Sequence, residues 1–296
     1  MKNTVQTRID NFRHKVKGRN AYRIYRQSVL YENVHGCGKA LKRLVRLLRY
    51  LGSEYQCPTC GIGLRAFRPM KRSYWRDIKR FDWIYEPSRI ETFNVAAYYC
   101  PGCTASDRER LTALYLKEMF RTCDRQRTRR LIEFGPNEAL SKMIKRYPFI
   151  VYRSADLLRK NVDEQIDLTA MENYSADSVD IILCSHILEH IPDDRTAMRE
   201  ICRVLRPDGF AVILVPLVVG VDETHEHPAI NTEALRWKYF GLGDHVRQYG
   251  KRDLLDRLNG AGLRIEQLGI EHFGAEVFRR AGIAENSVLY VAHPCK

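Results

Sequence analysis

RRLIEFGPNEAL, residues 129–140, decides the fold. Leu131 to Phe134 is a short apolar run, Gly135-Pro136-Asn137 is a turn signal, and Glu138 to Ile144 continues as a helix. The pattern is strand, tight turn, helix start. Further on, VYRSADL, residues 151–157, repeats the strand pattern and reaches an acid at its end, Asp156. A glycine turn after a first strand and an acid after a second are the layout of a nucleotide-type cofactor site in an open α/β sheet. The turn lets a cofactor approach the backbone, and the acid accepts hydrogen bonds from ribose hydroxyls. The turn is degenerate: a dinucleotide fingerprint asks for G-x-G-x-x-G, and only Gly135 is present.

Moving outward, residues 175–217 read SADSVDIILCSHILEHIPDDRTAMREICRVLRPDGFAVILVPL. Three segments stand out: Asp180 to His186, Leu188-Glu189-His190-Ile191, and Arg203 to Gly209 ahead of a strand. On these segments the chain resembles the class I S-adenosylmethionine (SAM)-dependent methyltransferases, from about Leu131 to the C-terminus. CPTC, CPGC, ASDRERL and GDHVRQYG narrow the resemblance. They are similar to a subgroup of bacterial methyltransferases with a cysteine-rich module ahead of the methyltransferase domain, often linked to cell-surface polysaccharide assembly. The resemblance implies an α/β, Rossmann-like fold with a mainly parallel seven-stranded sheet whose last two strands form an antiparallel pair.

Strand-helix alternation supports the same class from the residues alone. Strands are expected at Leu131–Phe134, Ile150–Ser154, Ile181–Ser185, Phe210–Pro216, Leu263–Leu268 and Ser287–Ala292, with helices at Thr196–Leu205 and Arg252–Ala261. Such alternation gives a mainly parallel sheet with right-handed crossovers. The expected organisation is a basic arm over 1–52, a zinc-ribbon-like module over 53–106, a connecting helix and linker over 107–130, and the methyltransferase domain over 131–296. Ser106-x-x-Glu109 is a capping box that opens the connecting helix.

The net charge of +13 is uneven: residues 1–56 hold thirteen Lys or Arg against three Asp or Glu, so ten of the thirteen net charges lie there. The high pI describes an arm and not the catalytic domain. Within it, LKRLVRLLRYL, residues 41–51, places leucines and Val45 on one helical face and Lys42, Arg43, Arg46 and Arg49 on the other. That helix either docks on the cysteine module or lies on an anionic membrane surface or acidic partner. Neither a spanning segment nor the apolar core of a signal peptide is visible. The default expectation is a cytoplasmic protein, peripheral to the inner face of the membrane if the helix binds lipid.

Nine cysteines, two pairs of them as CxxC, favour metal or thiol chemistry over a disulfide framework in such a chain. Cys57, Cys60, Cys100 and Cys103 supply four soft ligands on two knuckles, a set suited to tetrahedral Zn²⁺. Metal-free knuckles and a redox pair are the other readings. The long stretch between the pairs, rich in Trp, Tyr and Arg, is expected to be a hairpin or extended loop.

Ligands of doubly wound sheets bind at the carboxyl ends of the strands. That rule selects Glu133, Gly135 and Asn137 after the first strand, Asp156 after the second, and Ser185 and His186 at the end of the strand over 181–185. Asn137 stands where a second glycine would be, as a residue that tolerates the left-handed conformation. By resemblance, Asp167-Leu168 takes the adenine contact. For a hydroxyl acceptor a base is needed. His186 is the first candidate, with Asp244 and His245 brought from the long connection 221–250; Arg247 suits an acceptor phosphate or carboxylate. His190 reads more simply as a packing histidine. The three residues of HEH, 225–227, do not converge easily on one ion.

Two function classes follow. One is a SAM-dependent methyltransferase acting on a sugar, glycan or related small acceptor, most simply at oxygen. The other is a non-catalytic scaffold with a zinc module and a vestigial fold. Nucleic-acid methylation is a weaker third, because the basic residues cluster in one arm.

Overall fold

A computed structural model describes residues 47–295. The expectations for residues 1–46, including most of the basic helix, lie outside the described residues. Of that helix, Leu47 and Leu48 are helical, but Leu51 opens strand β1 (Leu51–Gln56) instead of closing the helix. Leu47 packs into the cysteine core, while Leu48 is exposed.

β1 pairs antiparallel with β2 (Gly63–Leu64), and the first CxxC sits in the turn between them. The stretch before the second CxxC is not the expected loop. It carries helix α1 (Arg72–Phe81) and a 3₁₀ turn (Pro87–Arg89). Tyr74, Ile78 and Phe81 recur at helical spacing. Helix α2 (Asp107–Thr122) follows, opened by the expected capping box, with Ser106 N donating to Glu109 Oε2 at 2.6 Å.

The main sheet and its helices comprise β3 (Arg129–Phe134), α3 (Glu138–Ile144), β4 (Ile150–Asp156), β5 (Glu164–Gln165), β6 (Val179–Ser185), α4 (Asp194–Val204), β7 (Leu205–Leu214), α5 (Glu233–Phe240), α6 (Lys251–Gly260), β8 (Leu263–Leu268), α7 (Ile270–Phe273), α8 (Ala275–Ala281) and β9 (Leu289–Pro294). The strand order is β5-β4-β3-β6-β7-β9-β8. Pairings are parallel from β5 to β7, and β9 runs antiparallel to both β7 and β8. The expected seven strands and closing antiparallel pair are therefore present. β6 is buried along all but its last residue, as a parallel strand covered on both faces must be.

β7 begins earlier than expected. Leu205 pairs with Val179, the register shifts, and pairing resumes at Phe210 with Ile181. Gly209 is what the irregularity requires, since a Cβ there would lie 2.8 Å from Asp180 O.

Several contacts tie the N-terminal module to the sheet and the helices around it. Arg110 is fully buried and donates to the carbonyls of Ala97, Tyr98, Ala105, Ala281 and Gly282 at 2.5–3.1 Å. Its guanidinium also lies 4.0 Å from the Phe67 ring. α1 packs on α5, with Phe81 stacked on Trp237 at 5.2 Å. Further along, Glu91 N donates to Leu217 O at 2.8 Å and Tyr290 OH to Glu91 Oε2 at 2.5 Å. The module so forms a wall against the end of β7 and the long connection after it.

Candidate functional site

The strand order reverses between β3 and β6, and both strands end there on unusual backbone. Gly135 has φ +61°, and a Cβ on it would meet Ile187 Cδ1 at 2.7 Å. His186 has φ +56°, although a side chain disfavours that region. A non-glycine residue held left-handed at a strand end is strain of the kind found at functional sites.

Around the glycine turn, several expected cofactor residues serve the turn itself. Glu133 is buried, and its carboxylate accepts from Asn137 N (2.9 Å), Ser141 Oγ (2.7 Å) and Tyr152 OH (2.6 Å). It braces the turn from behind. Asn137 is not left-handed; with φ −101° it caps α3, accepting from Ala139 N and Leu140 N. Asp156 ends β4, where its Oδ1 accepts from Leu158 N (2.7 Å) and Arg159 N (2.8 Å) and its Oδ2 lies 3.4 Å from Arg159 Nε. Arg159 also donates to Pro136 O at 2.8 Å, so it links the two strand ends. Asp167 Oδ1 accepts from Thr169 N and Oγ1, and Leu168 beside it is buried. Ser185 Oγ is buried with no hydrogen-bond partner among the described residues. An orphaned hydroxyl at the end of β6, beside a turn that brings backbone forward, fits a polar ligand at this edge.

Beyond β6 a 3₁₀ turn, Leu188–His190, presents Glu189. This residue is 0 % exposed, and its Oε2 has no hydrogen-bond partner among the described residues. His186 Nδ1 lies 3.2 Å from Glu189 Oε1, and His245 Nε2 lies 3.9 Å from the same oxygen. His190 Nδ1 lies 3.6 Å from Asp244 Oδ2, and the His190 and His245 rings meet edge to face at 4.8 Å. Burial pushes the Glu189 carboxyl up, and the imidazoles of His186, His190 and His245 more than reverse it, leaving it at about 2. Burial, with the neighbouring His190, lowers His245 to about 4. Burial, then Arg108, lowers His186 against the pull of Glu189.

The structure brings His186, Asp244 and His245 into one neighbourhood around Glu189, which the sequence reading did not single out, with His190, read there as packing, beside it. Arg108, noted only as part of the helix start, is within electrostatic reach of both His186 and Glu189. Arg247 departs from expectation. It is buried, donating to Leu188 O (3.1 Å), Ile191 O (2.6 Å), Pro192 O (2.9 Å) and Glu226 Oε2 (2.6 Å). Its donors staple the connection to the LEHIP turn, which leaves the fork no face for an acceptor. By contrast, Arg236 Nε is buried without a hydrogen-bond partner among the described residues, and the Asp244 carboxylate favours its charge. In HEH, Glu226 is held by Arg247 and Arg257, and the ring of His225 packs on Tyr239 and Phe240.

Just ahead of the N-terminus of α2, Cys57, Cys60, Cys100 and Cys103 converge, with all four sulfurs within 4.8 Å of one another. Cys57 Sγ is 3.7 Å from Cys103 Sγ, and Cys60 Sγ is 3.8 Å from Cys100 Sγ. The hydrogen bond from Cys103 lowers Cys100 to about 7, whereas the other three sulfurs push Cys103 far up. Four sulfurs this close cannot all ionise without a cation among them.

An open, mainly parallel sheet with this order and a site at the reversal defines a nucleotide-type cofactor enzyme of the α/β class. A family described as a methyltransferase domain matches residues 104–268, more than half of the chain, and the chain belongs to that family. It is a SAM-dependent methyltransferase. A comparison with curated proteins finds no significant match. Solved structures give distant likenesses. The YcgJ protein of Bacillus subtilis is 16 % identical over 61 % of this chain and 98 % of that one, with a TM-score of 0.40. The CMeT domain of the citrinin polyketide synthase is 14 % identical over 67 % and 55 %, at 0.45. The 1,6-didemethyltoxoflavin-N1-methyltransferase of Burkholderia thailandensis is 15 % identical over 58 % and 73 %, at 0.39.

Proposed function

We propose that this methyltransferase acts on an oxygen of a sugar, glycan or related small acceptor, with His186 taking the acceptor proton. The observation that carries the proposal is the pairing of His186 with Glu189. A carboxylate 3.2 Å from Nδ1 orients the ring with Nδ1–H toward it, leaving Nε2 as the basic nitrogen. An oxygen acceptor needs such a base, because its proton must leave as the new bond forms. Bound SAM supplies a methyl group on a sulfonium, whose sulfur leaves with the electron pair of the broken S–CH₃ bond. The chain contributes alignment, exclusion of water and the proton acceptor.

For the cofactor, Gly135, Asp156, Asp167, Leu168 and Ser185 are the residues assigned to contact, with Glu133 and Asn137 acting through the turn. Asp156 shares its carboxylate with Arg159, so ribose hydroxyls would join an acid that is already oriented. Arg236 replaces Arg247 as the residue for an anionic group on the acceptor. The four cysteines are assigned to one structural Zn²⁺, since four thiolates at tetrahedral spacing suit that ion. The assignment to surface polysaccharide assembly rests on the motif resemblance, and that of a peripheral membrane contact on the basic helix.

Purified full-length protein with labelled SAM, tested against nucleotide sugars, glycans, lipid-linked intermediates and nucleic acid, decides the acceptor class. Methyl transfer to a sugar hydroxyl is expected. Transfer to nucleic acid alone, or SAM binding without transfer to any saccharide, would reject the reading.

A further inference from the structure

We propose that Glu189, His190 and His245 form a divalent metal centre at the end of β6, separate from the four-cysteine cluster. One ligand atom from each of the three residues lies within 4.8 Å of the others. Glu189 is fully buried and His245 is 6 % exposed, while His190 is partly exposed and marks the open side.

Three observations point to an ion beside the His186–Glu189 pair. First, the Glu189 carboxylate is fully buried, and with His186 Nδ1 3.2 Å from Oε1, Oε2 is left without a hydrogen-bond partner among the described residues. A carboxylate in that condition calls for a cation. Second, His245 Nδ1 lies 3.0 Å from the carbonyl of Phe240. Donating there fixes the tautomer and leaves the Nε2 lone pair facing Glu189. Metal-bound histidines are oriented in this way by a carbonyl or carboxylate on the remote nitrogen. Asp244, 3.6 Å from His190 Nδ1, stands in the same relation to the second ring. Third, the frame is fixed. Val246 N donates to Glu189 O at 2.9 Å, and Arg247 binds three carbonyls of the turn that carries Glu189 and His190.

Two imidazoles and one carboxylate select a first-row transition metal such as Zn²⁺, Fe²⁺, Mn²⁺ or Co²⁺ over Mg²⁺ or Ca²⁺, and leave coordination positions open. Placed next to His186, an open position would take the acceptor oxygen and lower its pKa, with the proton passing to His186. That role rests on the methyl-transfer reading above, whereas the binding of the ion does not.

The test is a Co²⁺ titration of the full chain with its cysteine cluster already filled by zinc. One further equivalent per chain is expected, with an absorption spectrum that lacks sulfur-to-cobalt charge transfer. Glu189→Gln and His190→Ala, each checked for an unchanged unfolding transition, should weaken it by more than about tenfold. His190 is partly exposed, so its variant keeps the test open if the Glu189 variant does not fold. No equivalent beyond the cysteine cluster in the wild type, or wild-type affinity in both variants, overturns the proposal. Calorimetry with S-adenosylhomocysteine on the same samples separates the two readings. Cofactor binding without Co²⁺ binding sinks the metal centre alone, and Co²⁺ binding without cofactor binding sinks the cofactor-site assignment of the proposed function alone.

Discussion

Arg110→Met should loosen the cysteine module from the methyltransferase core. The wild-type guanidinium satisfies five buried carbonyls drawn from the second cysteine region and from α8 and its C-cap. Methionine matches the stem but donates nothing. Each lost bond costs about 0.5–1.5 kcal/mol. Local relaxation and water entry recover part of the sum, so a loss of roughly 3–5 kcal/mol is expected, the range for breaking a buried charged network. For a domain of this size that lowers the melting temperature by roughly 6–20 °C. Asp107, followed by Cys57 and Cys100, are the first charges that favour the cation. A four-thiolate zinc cluster carries net negative charge, so the substitution should also weaken zinc retention. Calorimetric melting, with zinc released to a chromophoric chelator, measures both effects. Arg108→Met makes the same charge change two positions earlier, where Arg108 Nε makes one side-chain bond, to Ser106 Oγ at 3.4 Å. Equal melting shifts in the two variants, or a shift under about 3 °C for Arg110→Met, would refute the reasoning.

Four further outcomes are expected. Asp156→Asn keeps an oxygen for Leu158 N and Arg159 N but loses the charge, so SAM affinity measured by calorimetry should fall by about 1.5–3 kcal/mol. Cys60→Ser should abolish stoichiometric zinc by elemental analysis and unfold the N-terminal module while the sheet persists, since zinc coordination supplies on the order of 10 kcal/mol. His186→Asn suits the left-handed backbone and removes the base; turnover should fall roughly 10²–10⁴-fold with SAM binding retained. Arg236→Ala should raise the acceptor Michaelis constant with little change in melting, and Arg247→Ala should do the opposite, because Arg247 binds three carbonyls of the fold while Arg236 Nε has no partner among the described residues.

The sheet was legible because buried parallel strands announce themselves as apolar runs punctuated by turns. DIILCS and FAVILV are such runs, and both lie where expected. β5 was not, since Glu164-Gln165 is a two-residue polar edge with no periodic signal. α1 was overlooked for another reason. Its apolar residues pack on other parts of the chain, Phe81 on Trp237 of α5, Tyr74 on Phe93 and Ile78 with Trp83, Ile90 and Val218, so the stretch reads as a polar loop rich in stray aromatics until those partners are known. At the glycine turn a single glycine forms the bend, with Asn137 capping the helix in ordinary extended geometry and Glu133 holding the turn from behind.

The candidate site was half legible, and Arg247 explains the boundary. Glu189 and His190 belong to the turn after β6, whereas Asp244 and His245 belong to the connection before α6. Read separately, each segment offers packing histidines and ordinary loop charges. Arg247 joins them, because its buried guanidinium, two residues from His245, donates to the carbonyls of Leu188, Ile191 and Pro192. The same bonds that hide Arg247 from an acceptor fix His245 against Glu189. LEHIP and GDHVRQYG are thus two halves of one constellation, and a substitution in either should disturb the other. An arginine that sequence reasoning assigns to substrate is here the reason the remaining residues converge.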